Sequence, residues 1–92
     1  MVDGAHCSKY VSVPNLTQLR QHPSLVAIGK AIRTIRRRKN ISQEQLALQA
    51  GIDRSYMGRI ERGDNNAAIL TLEKISMALE MSLSELLAHA GL

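Results

Sequence analysis

Phenylalanine and tryptophan are absent from these 92 residues, and tyrosine occurs only twice. Any core must therefore be built from Leu, Ile, Ala and Met, side chains that suit packed helices better than a sheet. Cys7 is the single cysteine, which excludes an intrachain disulfide and a thiolate metal cluster within one chain. His6 stands beside it, but two ligands do not make a metal site, and no metal or other cofactor is expected. No apolar run approaches the roughly 18 residues of a membrane span, and the first residues lack a signal-peptide core. The expectation is a soluble, cytoplasmic protein with no membrane partner. Prolines are scarce too. Both lie in VSVPNLTQLRQHP, a stretch with turn formers and no sustained period, so residues 1–23 read as an irregular extension.

What is present is unevenly distributed. Residues 25–62 carry nine basic and three acidic side chains, a net +6, whereas residues 63–92 carry a net −3. A basic front and an acidic back suggest a polyanion on one side only. Helical spacing begins where the prolines end: Ile28, Ala31, Ile32 and Ile35 lead into the polar run RRRKN. This predicts a first helix over 24–39 with Asn40 at its C-terminal end.

Later helix starts share one device, an apolar residue, a capping side chain and an apolar residue four positions on. Ser42 with Gln45, and Ser82 with Glu85, have the spacing of capping boxes. Asp53 before Met57 and Thr71 before Ile75 repeat the cap and staple. A Ser or Thr cap is worth about 1 kcal/mol. Further helices are thus expected over 43–50, 54–62, 72–79 and 83–89, all in one all-α domain over 24–92. The expected core is Ile28, Ala31, Ile32, Ile35, Leu46, Ala47, Ala50, Ile52, Met57, Ile60, Leu72, Ile75, Leu79, Leu83 and Leu86.

The stretch ISQEQLALQAGIDRSYMGRIERGD holds the densest pattern. Leu46 and Ala50 face inward on its first helix, Gly51 ends that helix where the chain must reverse, and Ile52 plugs the corner. Met57 and Ile60 anchor the second helix, so two short helices can cross steeply through a tight turn. Arg54, Ser55, Gly58, Arg59 and Arg62 fall on the opposite side. Arg54 and Ser55 occupy the first turn, the part of such a helix that points into the major groove of DNA. Arg donates two hydrogen bonds to a guanine edge, and Ser accepts from or donates to several bases. Gly58 should leave the middle of that face bare for close approach. The alternative is a solvated, charged helix face.

The whole stretch resembles the helix-turn-helix of the Cro/C1 (Xre-like) family, which includes phage repressors, antitoxin regulators and restriction–modification controller proteins. The resemblance spans about residues 25–88, carried by SQEQLALQAGIDRSYMGRIERG and by TLEKISMAL and SLSELL. It implies a five-helix, lambda-repressor-like domain with its motif at 43–62. It implies base reading by Arg54, Ser55 and Arg59, and phosphate or flanking contacts by Ser42, Gln43, Tyr56, Arg62, Asn65 and Asn66. For Tyr56 a partly buried ring is an equal alternative. Arg36 and Glu61 match an intramolecular ion pair of the family, while Arg37, Arg38 and Lys39 fit a solvated helix end. Two departures stand out: Asn66-Ala67 replaces the usual Asn-Pro, implying a less rigid loop, and Glu80 replaces a glycine, implying a turn of different shape.

One such domain offers few base contacts, so a homodimer is expected to place two copies of helix 54–62 in successive major grooves of a palindromic operator. No separate dimerisation domain is expected, so the expected surface is on the last two helices: Ile69, Leu70, Met77, Leu83, Leu87 and Leu92. The reading is a transcriptional regulator acting by occupancy, with RNA polymerase blocked or recruited. The rival is an antitoxin whose residues 1–23 wrap a toxin-like protein. No motif sets a nucleophile beside a base, so an enzyme is not expected.

Overall fold

The computed structural model describes residues 20–92, so the His6–Cys7 pair and most of the expected extension lie outside the described residues. Five α-helices and no strand occur within that range: α1 (Pro23–Arg38), α2 (Gln43–Ala50), α3 (Arg54–Arg62), α4 (Ile69–Ala78) and α5 (Leu83–His89). The first helix starts one residue earlier than the sequence suggests, at a proline whose missing N–H would be unbonded there anyway. The His22 ring accepts from the Ser24 N–H at 3.1 Å and caps it.

Starts of α2 and α5 follow the sequence. Ser42 and Ser82 each accept from the N–H three residues on, and Gln45 and Glu85 return the bond to the cap N–H. The start of α4 does not. The expected Thr71 cap is wrong: the helix begins at Ile69 after Ala68, with no side-chain cap. Burial explains the extra turn. Leu72 is buried, and directly after a Thr71 cap its N–H would have no intrahelical partner; with the extra turn it donates to the Ala68 carbonyl at 3.0 Å.

The core follows helical spacing closely. Ile32, Leu46, Met57, Ile75, Leu79 and Leu86 are fully buried, with Ile28, Ala31, Ile35, Ala47, Ala50, Ile60 and Leu72 around them. Ile52 and Leu83 were expected inside but are only half-buried at its rim. Each sits at the edge of a connection, one in the α2–α3 turn and one at the first position of α5, where only one side of the residue is covered.

The short α2–α3 turn depends on Gly51, which adopts φ 72°, a left-handed conformation that a Cβ disfavours. The α4–α5 turn was expected to change shape because Glu80 replaces glycine. It does not: Glu80 itself takes φ 62°, and Met81 N–H closes on the Ser76 carbonyl at 3.0 Å. The Glu80 backbone takes the left-handed conformation despite its Cβ, and the reversal is kept. A different close approach was not visible in the sequence. A Cβ on Gly29 would lie 2.6 Å from the Ile60 carbonyl oxygen, so α1 crosses the backbone of α3 almost in contact. Among the described residues no helix is long and apolar enough to cross a membrane, and no group of three or more metal-ligating side chains occurs.

Candidate nucleic-acid interface

The exposed side of α3 is held in place from behind by charge. Arg36 on α1 donates from Nε to Glu61 Oε2 at 2.8 Å and from Nη2 to Glu61 Oε1 at 3.0 Å. Both residues are buried. Its Nη1 donates to the Ile41 carbonyl at 3.1 Å, and Gln43 Nε2 donates to Glu61 Oε1 at 3.1 Å. The guanidinium therefore ties α1, the α1–α2 connection and α3 into one unit, while Gln43 adds α2. Removing either partner would leave a buried charge unpaired, at a cost of about 3–5 kcal/mol.

On the opposite side, Gln43, Asp53, Arg54, Ser55, Gly58, Arg59 and Arg62 line one shallow open groove. Arg54, Ser55, Arg59 and Arg62 are exposed. The Ser55 backbone N–H donates to Asp53 Oδ2 at 3.0 Å and caps α3, and the Ser55 hydroxyl also donates to Asp53. That hydroxyl bond, more than any other influence, holds the Asp53 carboxyl below its ordinary range. Tyr56 is half-buried against the core, and the Arg59 guanidinium stands 5.7 Å from the centre of its ring, a cation–π distance.

Gly58 departs from expectation. The sequence suggested a bare, open position, yet Gly58 is buried. A Cβ there would meet Arg62 Nη1 at 3.2 Å and Gln43 Oε1 at 3.5 Å, so the missing side chain makes room for two polar side chains of the groove itself. Past the helix, Asn65 is half-buried and Asn66 exposed in the connection to α4. Ser42, at the cap of α2 and next in sequence to Gln43, is exposed. The structure thus brings Gln43, Arg54, Ser55, Arg59 and Arg62 together in the groove, whereas Ser42, Tyr56, Asn65 and Asn66 are not among its lining residues. Arg37, Arg38 and Lys39 form an exposed basic end of α1, where Lys39 reaches Glu80 at 3.7 Å.

A helix-turn-helix family model matches residues 32–86. This chain belongs to the helix-turn-helix family, in its Cro/C1 (Xre-like) branch. It is 45% identical over 60 residues to the HTH-type transcriptional regulator SlrR of Bacillus subtilis, covering 64% of this chain and 40% of SlrR. The helix-turn-helix domain is thus less than half of that relative. The crystal structure of the restriction–modification controller protein C.AhdI from Aeromonas hydrophila superposes with a TM-score of 0.69 at 40% identity, covering 71% of this chain and 98% of C.AhdI. The biofilm regulator SinR, solved in complex with DNA, gives a TM-score of 0.62 at 41% identity, covering 65% of this chain and 97% of that one.

On α4 and after α5 the exposed side chains include large apolar ones. Ile69, Leu70, Met77 and Leu92 are 59–70% exposed, while Leu83 and Leu87 are half-buried against the core. Leu48 on α2 is also exposed, at 80%, and the sequence pattern did not single it out.

Proposed function

We propose that this helix-turn-helix regulator binds a palindromic operator as a homodimer in the cytoplasm, with α3 in the major groove. The observation that carries this is the groove itself: three arginines, a serine and a glutamine converge on an open face whose backbone is locked from behind by the Arg36–Glu61 pair. Arg54, Ser55 and Arg59 read bases, since they project from the exposed side of α3. Ser42, Gln43, Tyr56, Arg62, Asn65 and Asn66 contact phosphate or flanking positions and fix the register. Kinship with a controller protein matched over 98% of its length and with a regulator solved in complex with DNA supports the same reading.

The exposed Ile69, Leu70, Met77 and Leu92 supply the dimer surface, completed by Leu83 and Leu87 at its edge. A two-fold contact through this one patch places two α3 helices about 34 Å apart, one turn of the duplex. Regulation is then by occupancy: the bound dimer blocks or recruits RNA polymerase, and no catalytic step is involved. Selection of the purified protein on random duplexes of about three helical turns, at near-physiological salt, tests this directly. A two-fold symmetric consensus is expected. Binding without sequence enrichment would reduce the protein to an electrostatic DNA binder, and the base-reading roles would fall.

A further inference from the structure

Gln21 links the chain ahead of α1 to the far end of α3. Its backbone N–H donates to the Gly63 carbonyl at 2.7 Å. Its side-chain amide donates to the Arg62 carbonyl at 2.7 Å and to Asp64 Oδ1 at 2.6 Å. Gln21 makes these bonds from φ 60°, a left-handed backbone that a Cβ disfavours, so the clamp holds the chain in a conformation it would not choose alone. The consequence falls on its neighbour. Arg20 Nη2 is brought within 3.9 Å of Asp64 Oδ1, while Arg62 Nε reaches Asp64 Oδ2 at 3.2 Å. Two arginines, one ahead of α1 and one at the end of α3, thus share one carboxylate, and their side chains remain 60% and 61% exposed.

The node carries a surplus positive charge, and Arg62 also lines the groove beside the base-reading face. Exposed Arg–carboxylate pairs are worth little in water, so either guanidinium can exchange Asp64 for a stronger acceptor at small cost. A phosphate is such an acceptor, since guanidinium–phosphate bonds are charge-assisted and often bidentate. We propose that Arg20 is a further contact to the DNA phosphodiester backbone, set beside Arg62 by Gln21, so that the two guanidiniums take oxygens of the same or adjacent phosphates where α3 ends. This rests on the operator-binding reading above. Arg20 touches the ligand; Gln21 is a positioning residue that acts through it.

The test is a salt titration of binding by the full chain. The probe is the selected duplex or, where none is enriched, the random duplex pool. Arg20→Ala should weaken binding about 3- to 10-fold near physiological salt and reduce the slope of log K against log salt by about 0.9, one phosphate contact. Base preference should not change. Arg20→Lys should keep the slope, because the charge is kept. Gln21→Gly retains an easy left-handed backbone while deleting the clamp; it should lower the slope as Arg20→Ala does, and Arg20→Ala added to it should change little more. A merely structural role for Gln21 would instead lower the melting midpoint and leave the slope intact. The inference is overturned if Arg20→Ala and Arg20→Gln both bind with unaltered slope while Arg62→Ala loses a contact. Failure of the unaltered chain to bind either probe would overturn the operator reading and this inference together.

Discussion

The α3 side and the α4–α5 side of this domain share a core but fix their surfaces in different ways. Behind α3 the packing is polar and directional: a buried Arg36–Glu61 pair, bridged by Gln43, sets the helix against α1 and α2. Behind α4 and α5 it is apolar, with Leu72, Ile75, Leu79 and Leu86 buried and Ile69, Leu70 and Met77 left outside. A directional network can hold a helix to the accuracy that hydrogen bonding to base edges demands. An apolar patch tolerates small shifts and suits contact with a second copy. On the proposed reading, the front serves geometry and the back serves area.

Breaking the polar anchor should have the largest effect. Glu61→Leu strands the Arg36 guanidinium in the core and should cost about 3–5 kcal/mol of folding stability. The double variant Arg36→Met with Glu61→Leu removes both charges and should recover much of that loss. Urea denaturation of the three proteins distinguishes the cases. If the single and double variants are equally destabilised, the pair contributes through shape and not charge. The double variant should still bind DNA poorly, because α3 has lost its fixed orientation.

The proposed base readers come next. Arg54→Ala and Arg59→Ala should each lower affinity for the selected site by about 1–3 kcal/mol and relax the preference at particular base pairs. Arg62→Ala should weaken every duplex more evenly. Competition binding against a panel of single-base variants of the consensus separates the two behaviours, and identical profiles would remove the distinction between readers and backbone contacts.

Much of this arrangement is legible in the sequence because it is local. Capping boxes at Ser42 and Ser82, the glycine reversal at Gly51 and the helical spacing of the core each involve residues within a turn or two of one another. What was misread depends on distant neighbours. Gly58 looks bare along its own helix, yet its space is taken by Gln43 from α2 and by Arg62. Gly29 resembles an ordinary helical glycine until the α3 carbonyls lie across it. The Gln21 clamp joins residues more than forty positions apart, and no local pattern announces it. At α4 the error runs the other way. Thr71 has the local signature of a cap, but burial of Leu72 draws the helix back to Ile69.

On the apolar side, Met77→Ala should cost about 1.5 kcal/mol of stability in the proposed dimer and leave the fold of one copy unchanged within about 0.5 kcal/mol. Sedimentation equilibrium over a concentration series reads this as a shift of the monomer–dimer midpoint by roughly tenfold. A wild-type chain that stays monomeric at high concentration would assign the patch to another partner. A Met77→Ala chain that dimerises normally would move the interface off α4.

The smallest expected effect is acidic, and it falls more on the front than on the back. Asp53 is held below the ordinary carboxylate range by the Ser55 hydroxyl, and Asp64 by the Gln21 amide and then Arg62. On the back, Glu85 is held down by the Ser82 backbone N–H at the start of α5. A carboxyl whose folded pKa is depressed binds its proton more readily when unfolded, so its stabilising contribution is complete above the unfolded value and is lost as pH falls through the folded one. The window thus opens near the ordinary values of 3.8 for aspartate and 4.5 for glutamate and extends below them. The melting midpoint should be flat near neutrality and decline through this range. Asp64→Asn removes one of the two titrating groups at the ends of α3 and should flatten the decline, whereas Glu85→Gln should flatten only its upper edge, near pH 4.5 where glutamate ordinarily titrates. An Asp64→Asn curve parallel to wild type down to pH 3 would mean that the Gln21 clamp forms equally well with a neutral acceptor, leaving Asp53 as the acid-sensitive group at the front.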